Sequence, residues 1–268
     1  SAHLERVAQI CRELDLEPMI WSDMYLRMNS AHNEYYDVPL DTDLSGAVKP
    51  PKDVALVYWD YYHEDQKFYE EYFRMHKELS DKVIFAGGGW VWNGVSPNLE
   101  LAIRTTDPAM RACKKAGIHE AVCTMWQDDG AETPMAAGIP SIVRFAEHSF
   151  AEEVEEHAVR MQVEFLTGTS YDAFMLLGKF DSVPGFTGHS NPSKFLLYQD
   201  VMMGLFDAQI QDWEAGVYYQ TLRDRLIALQ GKTVDSSTDC LLRMYIALAD
   251  ALMSKADLGK QLYRAYSG

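Results

Sequence analysis

A chain of 268 residues with 47% hydrophobic side chains suffices for one large domain or two small ones and is too apolar to be a disordered segment. A net charge of −16 repels polyanions and excludes nucleic acid as a partner, and no apolar run approaches the roughly 20 residues that crossing a bilayer takes. Four cysteines (Cys11, Cys113, Cys123, Cys240) lie far apart and the eight histidines show no ligand spacing, so no metal and no cofactor are expected. Cys11, Cys113 and Cys123 sit in apolar segments and read as reduced core residues, which favours the cytoplasm.

In chain order, His3–Leu14 places Leu4, Val7, Ile10, Cys11 and Leu14 at helical spacing, and Glu17–Trp21 follows as a short strand. Residues 29–53 are polar and broken by Asn, Asp, Gly and Pro, which predicts a long loop. Asp53–Tyr58 is a continuous apolar run, as in a strand buried on both faces. A charged helix is expected over His63–Leu79, and a third strand over Val83–Ala86 running into Gly87-Gly88-Gly89. Thr106–Ala116 reads as a helix, Glu120–Met125 as a fourth strand and Pro134–Phe150 as a further helix. Helix and strand alternating in this way predict parallel strands. Four such units make half of an eight-stranded barrel, which takes about 250 residues. Because the chain opens on a helix, it is expected to begin just after an earlier strand, with Ser1-Ala2 a cloning remnant.

Beyond Phe150 the strand signal ends. Helices are expected over Glu152–Leu166, Tyr171–Leu177, Asp212–Leu229 and Ser236–Leu262, with a Gly/Pro loop over Asp181–Ser190. Asn191-Pro192-Ser193 reads as a helix start. The expected fold is therefore α/β: the C-terminal half of a (β/α)8 TIM barrel over residues 1–150, then an all-α helical region over 151–268.

Barrel enzymes place their sites at the C-terminal ends of the strands. Those ends carry Trp21-Ser22-Asp23, Tyr58-Trp59-Asp60, Trp90-Val91-Trp92 and Trp126-Gln127-Asp128, with Glu132 further along the last loop. In extended chain, residues two apart point to one side, so each aromatic and its acid are expected to face a common cavity. Indole rings stack on the apolar faces of a pyranose, and its hydroxyls donate to carboxylates in charge-assisted bonds. A sugar suits such a pocket, although aromatics at strand ends also serve as ordinary core.

The strings Trp21-Ser22-Asp23-Met24, Tyr58-Trp59-Asp60-Tyr61-Tyr62, Gly87-Gly88-Gly89-Trp90-Val91-Trp92-Asn93-Gly94 and Thr124-Met125-Trp126-Gln127-Asp128-Asp129-Gly130-Ala131-Glu132 together resemble glycoside hydrolase family 20. The resemblance points to its bacterial exo-β-N-acetylglucosaminidases with a helical C-terminal domain. It extends through Asn191-Pro192-Ser193-Lys194 and Leu196-Leu197-Tyr198-Gln199-Asp200. It implies hydrolysis of terminal β-linked N-acetylhexosamine, GlcNAc or GalNAc, with retention and no protein nucleophile. The substrate's 2-acetamido oxygen attacks the anomeric carbon, an exception to the two-carboxylate rule. Carried over, Trp21, Trp90 or Trp92, and Trp126 wall the acetamide and ring, and Tyr58 bonds the acetamide oxygen. Asp60 and Asp128 grip hydroxyls, Asp23 joins them in the pocket, and Glu132 either supports or contacts the substrate. The family's Asp-Glu pair, which contains the acid, is absent from these strand ends, so the pair is expected upstream and this chain alone is expected to be inactive. The other readings are a non-catalytic carbohydrate-binding or interaction module, or an enzyme using Asp128 and Glu132 as its own pair. A half barrel would leave two strand edges unpaired, which self-association or a missing N-terminal half would cover.

Overall fold

The computed structural model describes residues 2–186, 191–230 and 236–268. Four parallel strands pair in sequence order: β1 (Met19–Trp21), β2 (Ala55–Trp59), β3 (Val83–Gly88) and β4 (Ala121–Thr124). Each is separated from the next by helix or loop, as parallel crossovers require. Preceding and intervening helices are α1 (Ala2–Glu13), α2 (Asp23–Arg27), α3 (Gln66–Leu79) and α4 (Leu99–Ala116). After β4 come α5 (Ile139–Glu147), α6 (Glu156–Thr167), α7 (Tyr171–Leu177), α8 (Pro192–Tyr198), α9 (Ala215–Leu229), α10 (Ser236–Lys255) and α11 (Leu258–Ser267). The expected mixed α/β composition is present.

The elements differ from the sequence reading in ways that have local causes. The five-residue α2 was hidden because a single turn is too short to show a period. α4 starts at Leu99 rather than Thr106, because Asn98 Oδ1 accepts the Leu101 N–H at 3.1 Å and caps the first turn. Asp107-Pro108 imitates a helix start but lies inside the helix. The helix expected over Ser236–Leu262 is two, parted at Ala256-Asp257, where Asp257 accepts the Gly216 N–H at 2.7 Å. The loop expected over 181–190 is seen as far as Phe186, and residue 1 and residues 187–190 lie outside the described residues.

The chain forms two compact units whose borders cross the division expected at residue 150. The sheet unit comprises residues 1–88, 103–124 and 148–153; the helical unit comprises residues 89–102, 125–147 and 154–268. The segments that follow β3 and β4 thus belong to the helical unit, and only those that follow β1 and β2 stay with the sheet.

Within the sheet unit, register decides which side chains share a face. Trp21 pairs with Val57, Val57 with Ile84, and Ala86 with Val122. One face therefore carries Met19, Trp21, Ala55, Val57, Trp59, Ile84, Ala86 and Val122. The other carries Leu56, Tyr58 and Phe85, and Tyr58 and Phe85 pack against Phe73 of α3. The first face is only partly covered: Met19, Trp21 and Val122 are exposed, as are Val7, Ile10 and Leu14 around α1. In the helical unit, Phe174, Leu177, Phe180, Leu196, Tyr219, Leu222, Leu242 and Tyr245 form the centre of the larger core.

All four cysteines are free; Cys113 is buried, Cys11 and Cys123 are half-buried, and Cys240 is exposed. Burial pushes the Cys123 thiol up to about 12. Among the described residues no helix is long and apolar enough to cross a membrane.

Candidate functional site

The segment after β1 begins a buried polar relay. His76 of α3 has Nδ1 2.6 Å from Tyr72 O, so Nδ1 carries the proton and donates it to that carbonyl. Its Nε2 is then an acceptor for the Ser22 hydroxyl at 2.7 Å, and Ser22 Oγ accepts from Tyr35 at 2.9 Å. Burial drives the imidazole down to about 4, so it is neutral at neutral pH. Ser22 and His76 are fully buried, and the relay ties the β1 end and the long loop to α3. Beside it Trp21 is 45% exposed, and Asp23, the first residue of α2, is half-buried.

The β2 end departs from the expected orientation. Tyr58 was expected to share a cavity with Trp21, but Trp21 is in register with Val57, so Tyr58 points to the opposite face. Its ring stacks on His76 at 4.6 Å and on Tyr72 at 5.6 Å, fully buried among helix side chains. Its hydroxyl donates to Asp60 Oδ2 at 2.8 Å. Asp60, 1% exposed, also accepts from the Tyr62 N–H at 2.9 Å, the His63 N–H at 3.3 Å and His63 Nδ1 at 2.8 Å. Four donors occupy this carboxylate, which brackets the turn that ends the strand. Burial, and then the Asp60 charge, push the Tyr58 phenol up. The spacing rule does bring Tyr58 and Asp60 together, but toward each other. A one-residue difference in register moves a side chain to the other face, and pairing register is not visible in one strand's sequence.

The β2-end aromatic on the same face as Trp21 is Trp59, two residues past its register partner Val57, which sequence reasoning passed over. Its indole stacks on Tyr61 at 5.7 Å and leans on Tyr35 at 4.9 Å, while Tyr36 donates its hydroxyl to Trp59 O at 2.9 Å. The long loop thus folds two tyrosines onto the end of β2.

In the helical unit, the segment after β3 holds Trp90 and Trp92 stacked at 4.8 Å and 26°. Trp90 has φ 53°, a left-handed conformation that a bulky side chain adopts at real cost. Strain of this kind clusters at functional sites. In the segment after β4, Trp126 is 36% exposed and Asp128 is open to solvent. Glu132 is half-buried and pairs with Lys194 Nζ at 3.2 Å, and the same ammonium donates to Asp129 O at 2.6 Å. Lys194 lies in the first turns of α8, whose start is capped by Asn191 Oδ1 accepting the Lys194 N–H at 3.1 Å. The strand-end candidates therefore divide: Trp21, Asp23, Tyr58 and Asp60 belong to the sheet unit, and Trp90, Trp92, Trp126, Asp128 and Glu132 to the helical unit. Among the described residues, no group of three His, Cys, Asp or Glu side chains is arranged to hold a metal ion.

Residues 172–268 match a family described as the glycoside hydrolase 20C C-terminal domain. The likeness covers about a third of the chain. The matched segment runs from α7 through α11 and contains Lys194, which grips Glu132, and Tyr245, whose hydroxyl donates to Val95 O at 3.0 Å. No curated protein matches the chain.

Proposed function

We propose that this chain is the C-terminal part of an exo-β-N-acetylhexosaminidase, with β1–β4 as strands 5–8 of a (β/α)8 barrel. The observation that carries the reading is the match of residues 172–268 to the glycoside hydrolase 20C C-terminal domain, in a chain whose earlier part holds four parallel strands. The incompletely covered sheet face supports it, because the inner wall of a barrel is packed with side chains and Met19, Trp21 and Val122 here are exposed. Either the other half of the barrel or a second copy covers that face and the two strand edges. A chain that gel filtration shows to be monomeric, with its edge amides protected from exchange, would count against a covering partner.

In this reading the substrate is a terminal β-linked N-acetylhexosamine, GlcNAc or GalNAc. Its acetamide oxygen attacks the anomeric carbon, and intramolecular attack of this kind gains up to about 7–11 kcal/mol when well oriented. Trp126 supplies flat apolar surface for the pyranose and acetamide, and the buried Trp90–Trp92 stack offers only the edge of Trp92, 7% exposed. Asp128, exposed, accepts from hydroxyls, and Glu132 holds the loop through Lys194. Tyr58 and Asp60 act as the frame of the β2 turn, since each already bonds the other. The proton for the leaving group comes from an Asp-Glu pair upstream, so this chain binds sugar without hydrolysing it.

Saturation-transfer NMR with N-acetylglucosamine tests this. Transfer to the acetamide methyl is expected, together with its loss in Trp126→Ala and no release from a chromogenic β-GlcNAc substrate. Absence of transfer would remove the sugar reading. Release abolished by Glu132→Gln would move the chemistry to Asp128 and Glu132. The non-catalytic alternative is separated by the gene upstream, which this reading requires to encode a strand followed by Asp-Glu.

A further inference from the structure

The segment between β3 and α4 is a connection, yet nearly every residue from Trp90 to Asn98 is buried. Connections run over surfaces because a buried backbone needs a donor for each carbonyl. Here two of the three donors come from far along the chain. Trp90 O accepts the Asn98 N–H at 2.8 Å, Gly94 O accepts Thr133 Oγ1 at 2.7 Å, and Val95 O accepts the Tyr245 hydroxyl at 3.0 Å. Asn98 is itself held: its Oδ1 accepts from Ser182 Oγ at 3.0 Å while capping α4. Gly94 lies so close to Asn191 that an added Cβ would fall 1.1 Å from Asn191 Nδ2. Ser182, Asn191 and Tyr245 all lie within the matched segment.

These contacts surround a strained element. Trp90 keeps its left-handed φ of 53° while stacked on Trp92, and a strained backbone persists only where its surroundings over-determine it. Tyr245 is well suited to this: it is fully buried, its ring packs on Phe180 at 5.3 Å, and its hydroxyl is shielded from competing water.

We propose that Tyr245, Ser182 and Asn191 of the helical domain are positioning residues that hold the Trp90–Trp92 stack in its sugar-receiving arrangement. The domain then contributes to substrate recognition through the loop it encloses, without touching the substrate. This rests on the proposed function in one respect, that the stacked indoles meet the sugar.

The test separates the two. Stacked indoles give an exciton couplet in circular dichroism, and the difference between wild type and Trp92→Phe isolates it in the 268-residue chain. Tyr245→Phe removes one hydroxyl and keeps the ring. It is expected to weaken the couplet at 25 °C and to raise the Kd for N-acetylglucosamine about fivefold, the scale of one lost hydrogen bond. Ser182→Ala is a second, smaller lesion at the other end of the loop and is expected to do the same to a lesser degree. An unchanged couplet in both variants overturns the inference, as does a lost couplet with unchanged affinity. A wild-type chain that shows the couplet and binds no N-acetylglucosamine overturns the proposed function instead.

Discussion

The two units use one motif in opposite ways. In the sheet unit, the acid two residues past Tyr58 turns inward and collects four donors. In the helical unit, the acid two residues past Trp126 stays in solvent. Aromatic-x-Asp spacing fixes only that the two side chains share a side of an extended strand. Whether that side faces a helix layer or open space is set by the neighbouring strand's register and by what packs beyond. A carboxylate that serves the frame is recognised by full burial and satisfied lone pairs. One available to a ligand keeps its oxygens free.

The largest expected consequence lies at Asp60. Asp60→Ala strands the buried Tyr58 hydroxyl and the amides of Tyr62 and His63, and is expected to cost about 4 kcal/mol in urea unfolding. Asp128→Ala is expected to stay within about 0.5 kcal/mol, as for an exposed surface substitution. Equal costs would erase the contrast.

Acidity sharpens it next. His76 binds its proton less readily folded than unfolded, so its contribution is fully present above about pH 6.5 and is lost as pH falls toward 4. The slope is about 1.4 kcal/mol per pH unit. Asp181 in the helical unit behaves oppositely. Burial pushes its carboxyl up to about 8, so the folded unit keeps a proton that the unfolded chain releases, and stability falls as pH rises from about 4 to 8. Residue-resolved hydrogen exchange across this range is expected to show the sheet unit weakening on acidification and the helical unit on alkalinisation. Asp181→Asn is expected to flatten only the second trend. Parallel pH profiles for the two units would contradict this assignment.

The smallest effect concerns Lys194. Lys194→Met removes a half-buried ion pair to Glu132 and a bond to Asp129 O, and about 1 kcal/mol is expected from thermal melts. The loop from Trp126 to Glu132 is expected to exchange faster while that around Trp59 does not.

Much of this arrangement was legible in the sequence. The apolar run of β2 and the glycine-ended β3 announced buried parallel strands, because strands covered by helices need no polar alternation. Asn191-Pro192 announced α8, whose cap forms as its residue types dictate. What stayed hidden depended on partners remote in sequence. Trp59 rather than Tyr58 shares the face of Trp21 because of pairing between strands. The role of Tyr245 depends on a carbonyl 150 residues earlier, and no local pattern encodes that. The Glu132–Lys194 pair spans 62 residues and shows in the sequence only as two separate charges. The division at residue 150 followed the end of the strand signal, whereas packing assigned the β3 and β4 loops to the helical unit.

Six tryptophans give six indole N–H signals, and their response to N-acetylglucosamine in a two-dimensional NMR titration tests the account most directly. Signals of Trp90, Trp92 and Trp126 are expected to shift in a saturable way while that of Trp213, set among Phe186, Tyr218 and Tyr219, stays fixed. A titration in which none of the three moves, or in which only Trp213 does, would contradict a sugar site built on the indoles after β3 and β4.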